Sequence, residues 1–132
     1  MGRYYLKQIE NRETQHFLEY VKGDSKRLNK FANERRKYGF DSRETWSLDS
    51  TFYYWLYERL MMFKEKASEI VDLTFHKFEY KGETLTQIEC IDRMIEGCRL
   101  FIEDSDTNDK EKQEKIKSVC EIWAIVIPAM WW

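Results

Sequence analysis

The sequence predicts an all-α fold: a bundle of about five helices, with a small β-hairpin or extended loop near residues 75–86 and a buried apolar C-terminal helix. Three observations predict it. One proline and five glycines among 132 residues leave few positions that break a helix. Charged residues make up 35% and hydrophobic residues 42%, the balance of a folded chain rather than a disordered one. Apolar side chains recur at spacings of three and four, the period of a helix that buries one face. A chain of this length most simply forms one domain, 1–132, able to bury roughly two thirds of the surface its unfolded form exposes.

A first helix is expected over 4–21, where Leu6, Ile9, Phe17 and Tyr20 share a face and Gly23 offers a stop. Asp24 is a cap for a second helix that carries Leu28, Phe31, Ala32 and Arg35 and ends near Gly39. Its thin apolar stripe places it at the surface. In "DSRET", Asp41 stands three residues before Glu44, an arrangement that starts a short helical turn through Trp46 and Leu48. The long stretch from Ser50 repeats Phe52, Leu56, Leu60, Phe63, Ala67 and Ile70 at helical steps, with Glu58, Glu65, Glu69 and Asp72 opposite.

Phe78 and Tyr80 then alternate with charges, and Lys81-Gly82 supplies a residue able to take positive φ, so a hairpin is expected. "TQIE" reads as a capping box, Thr86 with Glu89, opening a helix with the stripe Ile88, Ile91, Ile95, Cys98 and Ile102. After the polar connection "EDSDTNDKEKQEK" comes the last helix, with Ile116, Cys120, Trp123 and Ile127 on one stripe. Between Ile122 and Trp132 no residue is charged. A helix apolar all round is expected to be buried all round, as the centre of the core or of a core shared between copies. Each large side chain buried there adds roughly 1.5–3 kcal/mol, so loss of the tail is expected to unfold the protein.

Charge is unevenly spread. Residues 1–43 hold eleven Lys or Arg and six Asp or Glu, a net +5, whereas residues 44–132 hold eleven and eighteen, a net −7. The basic part, with Arg35, Arg36 and Lys37 in a row, is the candidate nucleic-acid contact, set against packing on acidic protein surface, which is favoured. Three cysteines without a CxxC motif, and no signal-peptide pattern at the start, lead to an expected cytosolic location. The eleven apolar residues at the end are too few to span a bilayer.

Catalytic and metal chemistry find little support. Glu13 and His16 have the ExxH spacing of di-iron bundles, but the motif is needed twice and position 73 is Leu, so it has no counterpart before His76. Cys90, Cys98 and Cys120 read as small buried thiols rather than as a zinc set with His76. There is no GxSxG, no HExxH and no phosphate-cradling glycine loop. The chain is expected to be no enzyme and to hold no cofactor or metal. Aromatic residues reach 16%, more than packing a small core requires. Tyr53, Tyr54, Trp55 and Tyr57 beside Arg59 form one candidate ligand surface, suited to stacking a nucleotide base, set against a core face with a solvated arginine, which is favoured. Trp131 and Trp132 are expected either to close over the bundle or to project into a partner chain.

The segments "ETWSLDSTFYYWLYERLMMFKE" and "LTQIECIDRMIEG", followed by an aliphatic tail that ends in tryptophans, resemble the small helical hypothetical proteins carried by tailed bacteriophages and prophages. The matching positions are Trp46, Leu48, Asp49, Arg59, Leu60, Phe63, Lys64, Glu65, Thr86, Glu89, Met94 and Ile95. The likeness runs from Glu44 to Trp132 and leaves the basic third unmatched. The chain departs from the pattern at "FHKFEYKGE", where the family has a shorter Pro-containing connection. The resemblance implies a phage context in the host cytosol and carries over no catalytic residue. The expected function is therefore that of a non-enzymatic accessory protein that binds a host macromolecule, such as a host protein, as a homo-oligomer. Two alternatives are a sponge for a nucleotide signal in the aromatic and arginine surface, and a nucleic-acid binder using the basic third.

Overall fold

The computed structural model describes residues 25–132. The expected first helix, the Gly23 stop, the Asp24 cap and the Glu13–His16 pair lie outside the described residues. Within them the helical expectation is met. There are five α-helices, a short 3-10 turn and one two-stranded antiparallel sheet. The chain divides between Tyr54 and Trp55 into two compact units, the division falling inside the longest helix.

In the first unit, α1 (Ser25–Tyr38) ends at Gly39, whose φ of 85° is the left-handed conformation that closes a helix. The Gly39 amide donates to the Arg35 carbonyl at 2.9 Å. Phe31 of its thin stripe is buried. The Asp41–Glu44 expectation is met in a particular way. The Asp41 amide donates to Glu44 Oε2 at 3.0 Å, and Asp41 Oδ1 accepts the Arg43 amide at 3.0 Å. Those bonds start α2 (Arg43–Trp46). Thr51 Oγ1 donates to the Glu44 carbonyl at 2.7 Å, tying α2 to the first turn of α3 (Leu48–Ser68).

In the second unit, α3 contributes Leu56, Leu60 and Ala67 to the core, three members of the expected stripe. Phe63 is only half-buried and Ile70 is exposed. The helix stops at Ser68, and turn bonds from Glu69 to Lys66 and from Ile70 to Ala67 carry Ile70 off the face that the stripe assumed. The expected hairpin is present as β1 (Lys77–Tyr80) paired with β2 (Glu83–Thr86). Lys81 and Gly82 both have positive φ, 48° and 79°, the combination that a two-residue hairpin turn needs to match strand twist.

Thr86 caps α4 (Gln87–Glu103) in the predicted reciprocal box, its amide donating to Glu89 Oε1 while its hydroxyl accepts the Glu89 amide. The stripe of α4 is rotated from the one expected. Cys90, Ile91, Met94, Cys98 and Phe101 are buried, while Ile88, Ile95 and Ile102 are half-buried. Helix α5 (Lys110–Val126) starts on Asp109, whose Oδ1 accepts the Glu111 and Lys112 amides, and lies against α4. Gly97 makes the approach close: a Cβ there would meet Val119 Cγ2 at 2.3 Å and the Lys115 carbonyl oxygen at 2.5 Å.

The C-terminal helix corrects one expectation. It joins the core, but only along Val119, Ile122 and Val126; it is not buried all round. Cys120, Ile125 and Ile127 are exposed, and beyond the 3-10 turn Ile127–Ala129 so are Trp131 and Trp132, at 71% and 57%. The physical reason is geometric. One packed neighbour covers about a third of a helix, and a uniformly apolar sequence gives periodicity no means of marking which third.

Candidate functional site

The uncharged end of the chain builds the most distinctive surface of the second unit. After Val126 the Ile127 amide closes on the Trp123 carbonyl, and Pro128 in the 3-10 turn ends the helix. The turn is anchored from below by Gln87, the first residue of α4 and 3% exposed. Its Nε2 donates to the Ala129 carbonyl oxygen at 2.9 Å and approaches Met130 Sδ at 3.6 Å. Trp131 is thereby held at the surface beside the loop that follows α3.

That loop has its own scaffold. Asp72 Oδ1 accepts from the Thr74 amide at 2.9 Å and from the Thr74 hydroxyl at 2.6 Å. These bonds hold the Asp72 carboxyl below the usual carboxylate range. The His76 carbonyl accepts the Gln87 amide, and the Leu73 carbonyl accepts the Ile88 amide, so the loop backbone closes the start of α4. Phe75 is 74% exposed, with the His76 ring edge-on at 5.2 Å. Loop and tail together enclose a pocket of about 280 Å³, lined by Val71, Asp72, Phe75, His76, Gln87, Ala129 and Trp131.

A larger groove of about 500 Å³ lies between the hairpin, α4 and α5. Its lining is acidic on balance, five carboxylates against three cations, and each of these charges lies in an ion pair. Arg93 meets Glu83 at 2.9 Å, Lys81 lies 3.6 Å from Glu121, and Lys115 lies 3.7 Å from Glu111. Tyr80 donates its hydroxyl to Glu121 at 2.8 Å, and burial together with that carboxylate raises the phenol above its ordinary range.

The sequence candidates are not brought together. Tyr53, Tyr54, Trp55 and Tyr57 follow one another around α3. Tyr54 is buried, which pushes its phenol up, and Tyr53 and Tyr57 are half-buried. Arg59 already lies over the Trp55 ring, 4.5 Å from its centroid, and donates to the Trp55 carbonyl at 3.1 Å. Of the basic run, Arg35 is drawn onto Asp41 at 2.9 Å, Arg36 donates to Asn33, and Lys37 lies over the Tyr38 ring. Trp131 and Trp132, at 71% and 57%, are the most exposed of the aromatic candidates. Phe75, Asp72 and Gln87 escaped sequence reasoning, because nothing in a helical or alternating pattern says that the Phe75 loop will meet Trp131, 56 residues further on.

Cys90 and Cys98 are buried and Cys120 is exposed. Burial pushes the Cys98 thiol up to about 12. Among the described residues no group of three or more His, Cys, Asp or Glu is placed to hold a metal ion, and no helix is long and apolar enough to cross a membrane. No family model, curated protein or solved structure matches the chain.

Proposed function

We propose that this chain is a non-enzymatic accessory protein of the phage type, acting by binding a host protein through its apolar C-terminal end. One observation carries the reading. Ile125, Ile127, Trp131 and Trp132 lie exposed on a stretch without charge, next to an exposed Phe75. Exposed aromatic and aliphatic residues grouped at one end of a highly charged chain are the composition of an interface centre. Rings of this size each offer roughly 150–250 Å² for burial, so the three supply a large part of the roughly 800 Å² that one side of a stable interface covers.

A photo-crosslinking residue in place of Trp132, expressed in the bacterial cell, tests the reading, with the same residue at Lys112 on the charged start of α5 as the control. The expected result is a discrete heavier adduct from position 132 and none from position 112. An adduct of two copies alone would replace the host partner by self-association. No adduct, or equal adducts from both positions, would overturn the reading.

A further inference from the structure

We infer that the pocket between the loop after α3 and the C-terminal tail takes the side chain of an arginine from the partner protein; the inference rests on the reading above and adds the chemistry of what is bound. The pocket volume, about 280 Å³, falls at the lower limit for whole small ligands, roughly 300 Å³, and suits one inserted side chain.

Beside the ring N–H groups of His76 and Trp131, the pocket leaves two acceptors for a guest. Gln87 spends its Nε2 on the Ala129 carbonyl, which fixes the orientation of the amide, because a carbonyl oxygen takes only a donor. Its Oε1, on a side chain almost wholly buried, accepts no hydrogen bond from the described residues. A buried acceptor in that position gains from a donor brought by a ligand. Asp72 uses Oδ1 on Thr74 and leaves Oδ2 without a protein partner among the described residues. An anion is disfavoured, because the first amides of α4, which would receive it, are spent on the His76 and Leu73 carbonyls and on the capping box.

Phe75 and Trp131 complete the argument. Two exposed rings lining a pocket that holds a carboxylate attract a cation through their faces. Arginine is preferred to lysine because its planar guanidinium can stack on a ring and still offer several N–H donors to acceptors such as Gln87 Oε1 and Asp72 Oδ2.

The test is a nuclear magnetic resonance titration of the full chain with N-acetyl-arginine amide at mildly alkaline pH, reading the Trp131 indole N–H and the Gln87 side-chain amide. The expected result is a saturable shift of both signals, absent with the neutral citrulline amide and weakened about fivefold in Asp72→Asn, the loss expected of one partly exposed ion pair. No shift, equal shifts with citrulline, a shift with N-acetyl-glutamate amide instead, or an undiminished response in Asp72→Asn would each overturn it. Crosslinks from position 132 without an arginine response would sink the pocket and leave the binding reading standing. An arginine response without crosslinks would do the reverse.

Discussion

Asp41 shows how much one residue organises in the first unit. It is wholly buried and receives Arg35 at 2.9 Å and Arg43 at 2.7 Å, while the Arg43 guanidinium also lies 4.6 Å over the Phe31 ring. Burial alone would raise the Asp41 carboxyl, but the hydrogen bonds from Arg43 and Arg35 outweigh it and hold it below the ordinary range. A carboxylate whose folded pKa is depressed adds stability above its unfolded pKa and loses it as pH falls through the folded one. The first unit should therefore weaken as pH drops below about 4, and Asp41→Asn should cost about 3 kcal/mol at neutral pH, because two arginines lose their partner. Urea unfolding followed by fluorescence at both pH values checks this, and the variant should show a shallower acid limb. Thiols offer a second residue-scale test. An aromatic disulfide reagent should modify Cys120 alone in the native protein, with Cys90 and Cys98 reacting only on unfolding.

At the scale of elements, the α4–α5 contact depends on the absence of a side chain at Gly97. A methyl group there collides with Val119 and, more seriously, with the Lys115 backbone, so one helix must move. Gly97→Ala should destabilise the second unit by about 1–3 kcal/mol, measured by thermal unfolding, despite the better helix propensity of alanine. The sequence made most of the elements legible, because their signals are local. The Thr86–Glu89 box, the Lys81-Gly82 turn and the Gly39 stop each depend on residues within a few positions of one another. Which face of each helix is buried was harder to read. In α4, Met94 and Phe101 outrank Ile95 and Ile102, although either set satisfies a period of 3.6, and only the position of α5 decides between them. The candidate pocket was less legible still, since it joins Asp72 and Phe75 to Gln87 and Trp131 through contacts that no spacing encodes.

For the whole molecule the decisive feature is the distribution of apolar surface. The last residues carry no charge, yet Val119, Ile122 and Val126 are the part of the helix that enters the core. Buried apolar area stabilises the fold and exposed apolar area does not, so the exposed tryptophans add little to stability. The measurement that tests this most directly is a comparison of the wild type with the double variant Trp131→Ser, Trp132→Ser, in urea unfolding and in binding of a fluorescent apolar dye. The predicted result is an unfolding free energy within about 0.5 kcal/mol of the wild type, together with a marked loss of dye binding. A variant destabilised by more than about 2 kcal/mol, the size of a lost core side chain, with dye binding unchanged or increased, would contradict the account and return the tail to the core.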